Sequence, residues 1–251
     1  MSCVNIRDCC IGEGRPKVIL PIVERTETAI LEKAAQFSTL RADCVEWRVD
    51  LFEGFLDAAA IARCVQKLRV ALRDKLLLVT FRTKAEGGAQ ALSHTEYLAF
   101  LGLILETDCA DLLDIEFFTA GADLPALVNQ VHSAGAAVVC SSHDFAKTPP
   151  RAELISRMVQ MQQAGADLPK LAVMPQSRTD VLELLAATAE MADLHPETPV
   201  ITMSMGALGA VSRLAGEAFG SAMTFANPGQ ASAPGQVSLN IVNEVLDALH
   251  L

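Results

Sequence analysis

No stretch of this sequence stays apolar long enough to span a bilayer, because charges interrupt each hydrophobic run within a few residues. The opening Met-Ser-Cys-Val-Asn-Ile-Arg-Asp also lacks the basic-then-apolar layout of a signal peptide. A cytoplasmic protein without a membrane partner is the expectation. Positive charge is scarce as well: 20 Lys and Arg against 30 Asp and Glu leave a formal net charge of -10. Nucleic-acid binding needs a basic face, so that class of partner is excluded. A small anionic substrate is not, since a few arginines can dominate one cleft. None of the seven cysteines forms a C-x-x-C pair. That absence argues against a zinc site or a disulfide framework and favours buried, reduced thiols, with Cys44 and Cys140 inside apolar runs. Cys9-Cys10 is the one adjacent pair. Finally, no G-x-G-x-x-G follows the first strand-like run, which counts against an open doubly wound sheet.

What is present is alternation. Strand-like runs stand at about 17–23, 43–49, 75–82, 111–117, 136–142, 168–174, 199–205 and 221–225. Between them lie stretches with apolar residues at helical spacing, such as 26–41, 57–73, 93–109 and 177–194. Asp57 and Ser93 are placed to cap helix starts, and Gly135 and Gly165 to end helices. The repeat is roughly 30 residues, one βα unit. Eight such units in 251 residues predict an α/β fold, a single-domain (β/α)8 TIM barrel. The segment 3–14 is expected to form a hairpin closing the barrel floor.

Lys170 is the most informative residue, because it interrupts the apolar run Leu168-Pro169-Lys170-Leu171-Ala172-Val173-Met174. Burying an ammonium is costly, and an amine that burial strips of its proton is a nucleophile for a carbonyl carbon. The expectation is an amine largely uncharged before substrate arrives. The alternative is a strand-end lysine that extends its ammonium into water. Active sites of barrels gather at the C-terminal ends of the strands. Glu46, Arg48 and Asp50 share one strand parity, as do Asp114 and Glu116. Arg82, Glu86, His143, Met203, Met205 and Arg213 also fall at or just beyond strand ends. Singly, each has a plainer explanation: an internal ion pair, a structural histidine, or methionines filling the core. Together they would surround one barrel mouth, with the Gly- and Pro-rich stretch 226–236 as a lid over it.

These segments resemble type I 3-dehydroquinate dehydratase. The matching strings are EWRVD (46–50), TFR-x-KAEGG (80–88), SSHDF-x-KTP (141–149), PK-x-AVMPQS (169–177), ITMSM (201–205), SRLAGE (212–217) and SAPGQ (232–236). The resemblance implies a (β/α)8 barrel, a homodimer, and no metal or organic cofactor. It implies syn dehydration of 3-dehydroquinate to 3-dehydroshikimate in the shikimate pathway of aromatic amino acid biosynthesis. Carried over by residue, Lys170 is the Schiff-base lysine, His143 the general acid and base, and Glu86 the carboxylate that orients it. Arg213, Ser232 and Gln236 would bind the substrate carboxylate and a nearby hydroxyl. Glu46, Arg48 and Arg82 would hold the ring hydroxyls, and Met203, Met205 and Phe225 would form the apolar wall. Pro21 departs from the pattern, since some relatives carry serine there.

Other readings remain open at this point. A class I aldolase also uses a strand-six lysine but needs a phosphate site near strands seven and eight, for which Gly206 and Gly209 are weak candidates. A metal-dependent barrel would draw on Glu46, Asp114, Glu116 and His143, yet Arg48 and Arg82 would repel the ion. A non-catalytic small-anion binder would keep the barrel without turnover.

Overall fold

The computed structural model describes residues 2–229 and 235–250. The chain opens with an antiparallel hairpin, β1 (Val4–Ile6) and β2 (Cys9–Ile11), in which Asn5 faces Cys10. Parallel strands and helices then alternate: β3 (Lys17–Ile22), α1 (Glu27–Phe37), β4 (Cys44–Arg48), α2 (Ala58–Leu72), β5 (Leu76–Thr80) and α3 (His94–Glu106). Next come β6 (Leu112–Glu116), α4 (Phe117–Ala120), α5 (Leu124–Ser133), β7 (Ala137–Asp144), α6 (Arg151–Gln163), β8 (Leu168–Val173) and α7 (Arg178–Leu194). The last units are β9 (Ile201–Ser204), α8 (Ala210–Leu214), α9 (Gly216–Phe219), β10 (Met223–Asn227), the short β11 (Val237–Ser238) and α10 (Leu239–Ala248).

Adjacent strands pair in chain order from β3 to β9, and β10 pairs with β3. Val200 bridges Ser221 in parallel, and Ala222 N–H donates to Val200 O at 2.8 Å. These contacts bring β9 to β10 and complete an eight-strand ring. No helix among the described residues is long and apolar enough to cross a membrane.

Two apolar layers follow from strand alternation. Outward residues such as Val45, Trp47, Leu77, Val79, Leu113, Ile115, Leu171 and Val173 join the surrounding helices in one large core. Inward residues at the strand starts, Cys44, Leu76, Leu112, Ala137, Leu168, Ile201 and Met223, form a second. Ile11 of the hairpin is fully buried against that inner cluster, with Val4, Ile6 and Cys9 packed beside it. The hairpin therefore closes the floor of the ring. Further along β4 to β8 the inward register brings in polar residues, Glu46, Thr80, Asp114, Ser141 and Lys170, toward the opposite end.

Asp57 and Ser93 cap α2 and α3, Asp57 accepting from Ala59 and Ala60 and Ser93 forming a capping box with Glu96. Gly135 and Gly165 adopt positive φ just past α5 and α6. Helix α1 stops at Phe37, short of the expected residue 41, because Ser38 and Thr39 hydroxyls donate to the Ala35 and Gln36 carbonyls. Thr107 does the same to Ile104 at the end of α3.

One cysteine expectation fails. Cys3 and Cys10 are joined as a disulfide across the hairpin, with Cα atoms 5.8 Å apart. Cys3, just before β1 and two residues from the Asn5 that pairs with Cys10, meets Cys10 diagonally within disulfide reach. Cys44 and Cys140 are free and buried as expected, and Cys9 is free and half-buried.

Candidate active site

Residues of β4, β7, β8, β9 and β10, with those of the loop after β5, line a cavity of about 380 Å³. A larger cavity, about 680 Å³, lies at the opposite end between the hairpin and the Asp74–Lys75 turn, and it gathers neither the lysine nor the histidine. The site's cavity is bordered by Glu46, Arg48, Arg82, Glu86, His143, Lys170, Met203, Met205, Arg213, Phe225 and Gln236. All of these were singled out from the sequence. Ser232 lies outside the described residues.

Lys170 points inward from the middle of β8, in register with Ser141 of β7 and Ile201 of β9. Its side chain is 3% exposed. The surroundings are not merely apolar, however. Nζ stands 3.2 Å from Asp114 Oδ2 and 3.9 Å from Glu46 Oε1, and lies 4.9 Å from the centre of the Phe225 ring. The apolar slot that was expected is corrected here: two carboxylates face the nitrogen within ion-pairing distance. Strand parity explains why, since Glu46, Asp114 and Lys170 all occupy inward positions of their strands.

His143, at the end of β7, turns Nδ1 to Glu86 Oε2 at 2.9 Å, and its backbone N–H donates to the same oxygen at 3.0 Å. That leaves Nε2 as the ring nitrogen for the cavity. Phe145 stacks on the imidazole, with rings 6.5 Å apart and 17° from parallel. Burial, followed by the charges of Arg82, Lys170 and Arg48, holds His143 well below the ordinary imidazole range. Burial pushes the Glu86 carboxyl up to about 8; Glu116 and Asp114 add to the rise and Arg82 opposes it. Both shifts disfavour charge on the pair.

The Gly87-Gly88 turn keeps Glu86 in place. A Cβ on Gly88 would lie 1.8 Å from the Arg82 carbonyl oxygen, and one on Gly87 would enter the Phe145 ring. Close backbone approach, and not turn geometry alone, requires glycine there.

The arginines divide. Arg82 is almost fully buried, and its guanidinium meets Asp114 at 2.8 Å, Glu116 at 2.9 Å and Ser141 at 2.9 Å. Burial works against its charge, but Asp114, Glu116 and Glu86 outweigh it, and Arg82 stays a cation. Arg48 is held by a two-pronged bond to Asp50, both contacts 2.8 Å. Asp50 itself is not on the strand face that parity predicted. β4 ends at Arg48, and Asp50 enters a 3₁₀ turn over Val49–Leu51, where it also accepts from Arg82 and Ala89 N–H groups. Arg213, on α8, is 2% exposed, has Nη1 3.6 Å from Met203 Sδ, and is pulled down to about 10 by burial.

Sequence reasoning gave Asp114 and Glu116 a role only in the metal-dependent alternative, and gave none to Ser141 or Phe145. Parity placed the first two on the right face; Ser141 and Phe145 carried no signal of their contacts. A buried lysine, a buried His–Glu pair and three arginines thus share one cavity. The sequence pattern of type I 3-dehydroquinase matches residues 18–251. This chain belongs to that family. It is 47% identical, over 250 residues, to the 3-dehydroquinate dehydratase of Bacillus subtilis (strain 168), covering 100% of this chain and 98% of that protein. With the enzyme of that name from Salmonella agona (strain SL483) it shares 43% over 250 residues, covering 100% and 99%. Among solved structures, the type I 3-dehydroquinate dehydratase of Clostridium difficile with covalently modified comenic acid matches at TM-score 0.96 and 42% identity, covering 99% of this chain and 98% of that one. Family membership makes the protein a dehydratase, a hydro-lyase, and sets aside the aldolase and binding-protein readings.

Proposed function

We propose that the chain dehydrates 3-dehydroquinate to 3-dehydroshikimate through an imine on Lys170, as a step of the shikimate pathway. The observation that carries this reading is the cavity holding both Lys170, at its inner end, and the His143–Glu86 pair on its wall. Condensation of the substrate ketone with the amine gives an iminium, an electron sink that acidifies the neighbouring C–H. His143 Nε2 removes that proton and returns it to the departing hydroxyl on the same face. An imidazole suits both duties because its uncharged form is available as a base and its protonated form is a competent acid. Glu86, at Nδ1, holds the ring in the orientation that presents Nε2. Hydrolysis of the product iminium frees the lysine.

Binding follows from the rim. The planar guanidinium of Arg213 takes the substrate carboxylate, a geometry lysine does not provide. Ser232 and Gln236 assist it from the 226–236 segment, and Glu46, Arg48 and Arg82 face the ring hydroxyls. Met203, Met205 and Phe225 supply the apolar wall. The whole chain acts as one catalytic domain, needs no metal or organic cofactor, and pairs as a homodimer.

The direct test is the ultraviolet absorbance of the conjugated enone formed from 3-dehydroquinate. The wild-type protein is expected to generate it and Lys170→Ala to generate none. Enone formation by Lys170→Ala at a wild-type rate contradicts the reading.

A further inference from the structure

The ammonium of Lys170 has to give up a proton before it can attack a ketone, and the residues so far assigned to catalysis do not receive it. His143 faces Glu86 through one nitrogen and the substrate through the other. Two carboxylates lie near Nζ. Glu46 is the farther, at 3.9 Å; it borders the cavity and accepts from Thr80 at 3.0 Å, so ring hydroxyls compete for it. Asp114 is the nearer, at 3.2 Å, and is fully buried behind the cavity wall. Its two oxygens have separate duties. Oδ1 accepts from Arg82 Nη2 at 2.8 Å and Ser141 Oγ at 2.6 Å, while Oδ2 faces Lys170. The carboxylate is thus fixed on one side and offered to the amine on the other.

We propose that Asp114 is the proton acceptor for Lys170 during imine formation and the counter-charge of the nitrogen before and after it. The inference rests on the imine reading above. Proton transfer from Nζ to Oδ2 frees the lone pair; the C–N bond forms as the C=O π bond breaks. The protons lost at nitrogen leave with the ketone oxygen as water, and Asp114 ends as a carboxylate. Ammonium plus ketone therefore gives iminium plus water, with no net proton gained or lost. The nitrogen carries one positive charge at the start and one at the end, and the same fixed carboxylate serves both. The charged and titratable groups around Asp114 among the described residues are Arg82, Lys170, Glu46, Glu86, Glu116, His143, Tyr97 and Cys140. Burial raises the Asp114 carboxyl, but Arg82 and Lys170 together outweigh it and keep the group ionised.

The test is rapid-quench borohydride trapping of the Lys170 adduct, timed for the wild type and Asp114→Asn over a range of pH. Asparagine keeps the shape and removes the proton acceptor. The variant is expected to form the adduct about 10²-fold more slowly, the scale of one acid–base group. Its pH dependence of adduct formation should differ from the wild type's. Its affinity for a polyhydroxy cyclohexane carboxylate that lacks the ketone should stay within about threefold, a split a merely structural role does not give. Trapping at the wild-type rate, or equal losses of rate and analogue affinity, overturns the proposal. If Asp114→Asn fails to fold, Ser141→Ala replaces it: removing the bond at Oδ1 is expected to slow trapping several-fold, and an unchanged rate overturns the proposal. Absence of any wild-type adduct is a different outcome, and it rejects the imine reading itself.

Discussion

At the residue scale the site works by placing charges where water cannot relax them. Arg82, Lys170, Asp114 and Glu116 are all nearly or fully buried, and each carries a partner of opposite sign within hydrogen-bonding distance. Breaking such a set by removing one member leaves an uncompensated buried charge, a loss of about 3–5 kcal/mol. Glu86 is the member whose titration can be followed. Its carboxyl moves from 4.5 to about 8, so the folded state favours the protonated form. The resulting stability is complete below pH 4.5 and is lost as pH climbs through about 8. Glu86→Gln, which cannot ionise, keeps that stability. Denaturant unfolding at a series of pH values is expected to show the variant gaining on the wild type from pH 4.5 to 8. A pH-independent difference between the two contradicts the raised carboxyl.

At the scale of elements, parallel strands with a period of two sort the chemistry. From β4 to β7 each strand begins with an apolar inward residue and ends with polar ones, so the floor is packed and polar groups gather at the mouth, whereas β9 keeps Met203 inward. This much was legible in the sequence: the eight strand-like runs, the shared parity of Glu46 with Arg48 and of Asp114 with Glu116, and the anomalous Lys170 all read directly. Long-range pairing was not. Arg82 meets Asp114, Glu116 and Ser141 only because β5, β6 and β7 are neighbours in the ring, and nothing local to residue 82 announces three partners. Asp50 misled the parity argument because its strand ended two residues earlier. The loop after β5 depends on backbone contact, which predicts a mutational outcome. Gly88→Ala forces the loop off the Arg82 carbonyl, 1.8 Å from the added Cβ, and carries Glu86 with it. A misplacement on the order of 1 Å costs about 10²-fold in rate. The variant is expected to unfold cooperatively yet lose about that much in kcat/KM, and activity within about twofold of wild type contradicts the account.

For the whole molecule, the barrel separates stability from function along its axis. The hairpin, stapled by Cys3–Cys10, seals one end, while the proposed catalytic groups occupy the other. The disulfide could not be read from spacing because only the folded hairpin brings the two thiols together, and diagonally. The proposed homodimer makes a simple prediction: sedimentation equilibrium should return twice the chain mass of 26.8 kDa, and a value equal to one chain contradicts it. The central claim, however, is covalent. Substrate and borohydride together, followed by peptide mass spectrometry, should leave a reduced adduct on the peptide containing Lys170 and an inactive protein. An enzyme that turns over 3-dehydroquinate under those conditions with no adduct on Lys170 contradicts the account.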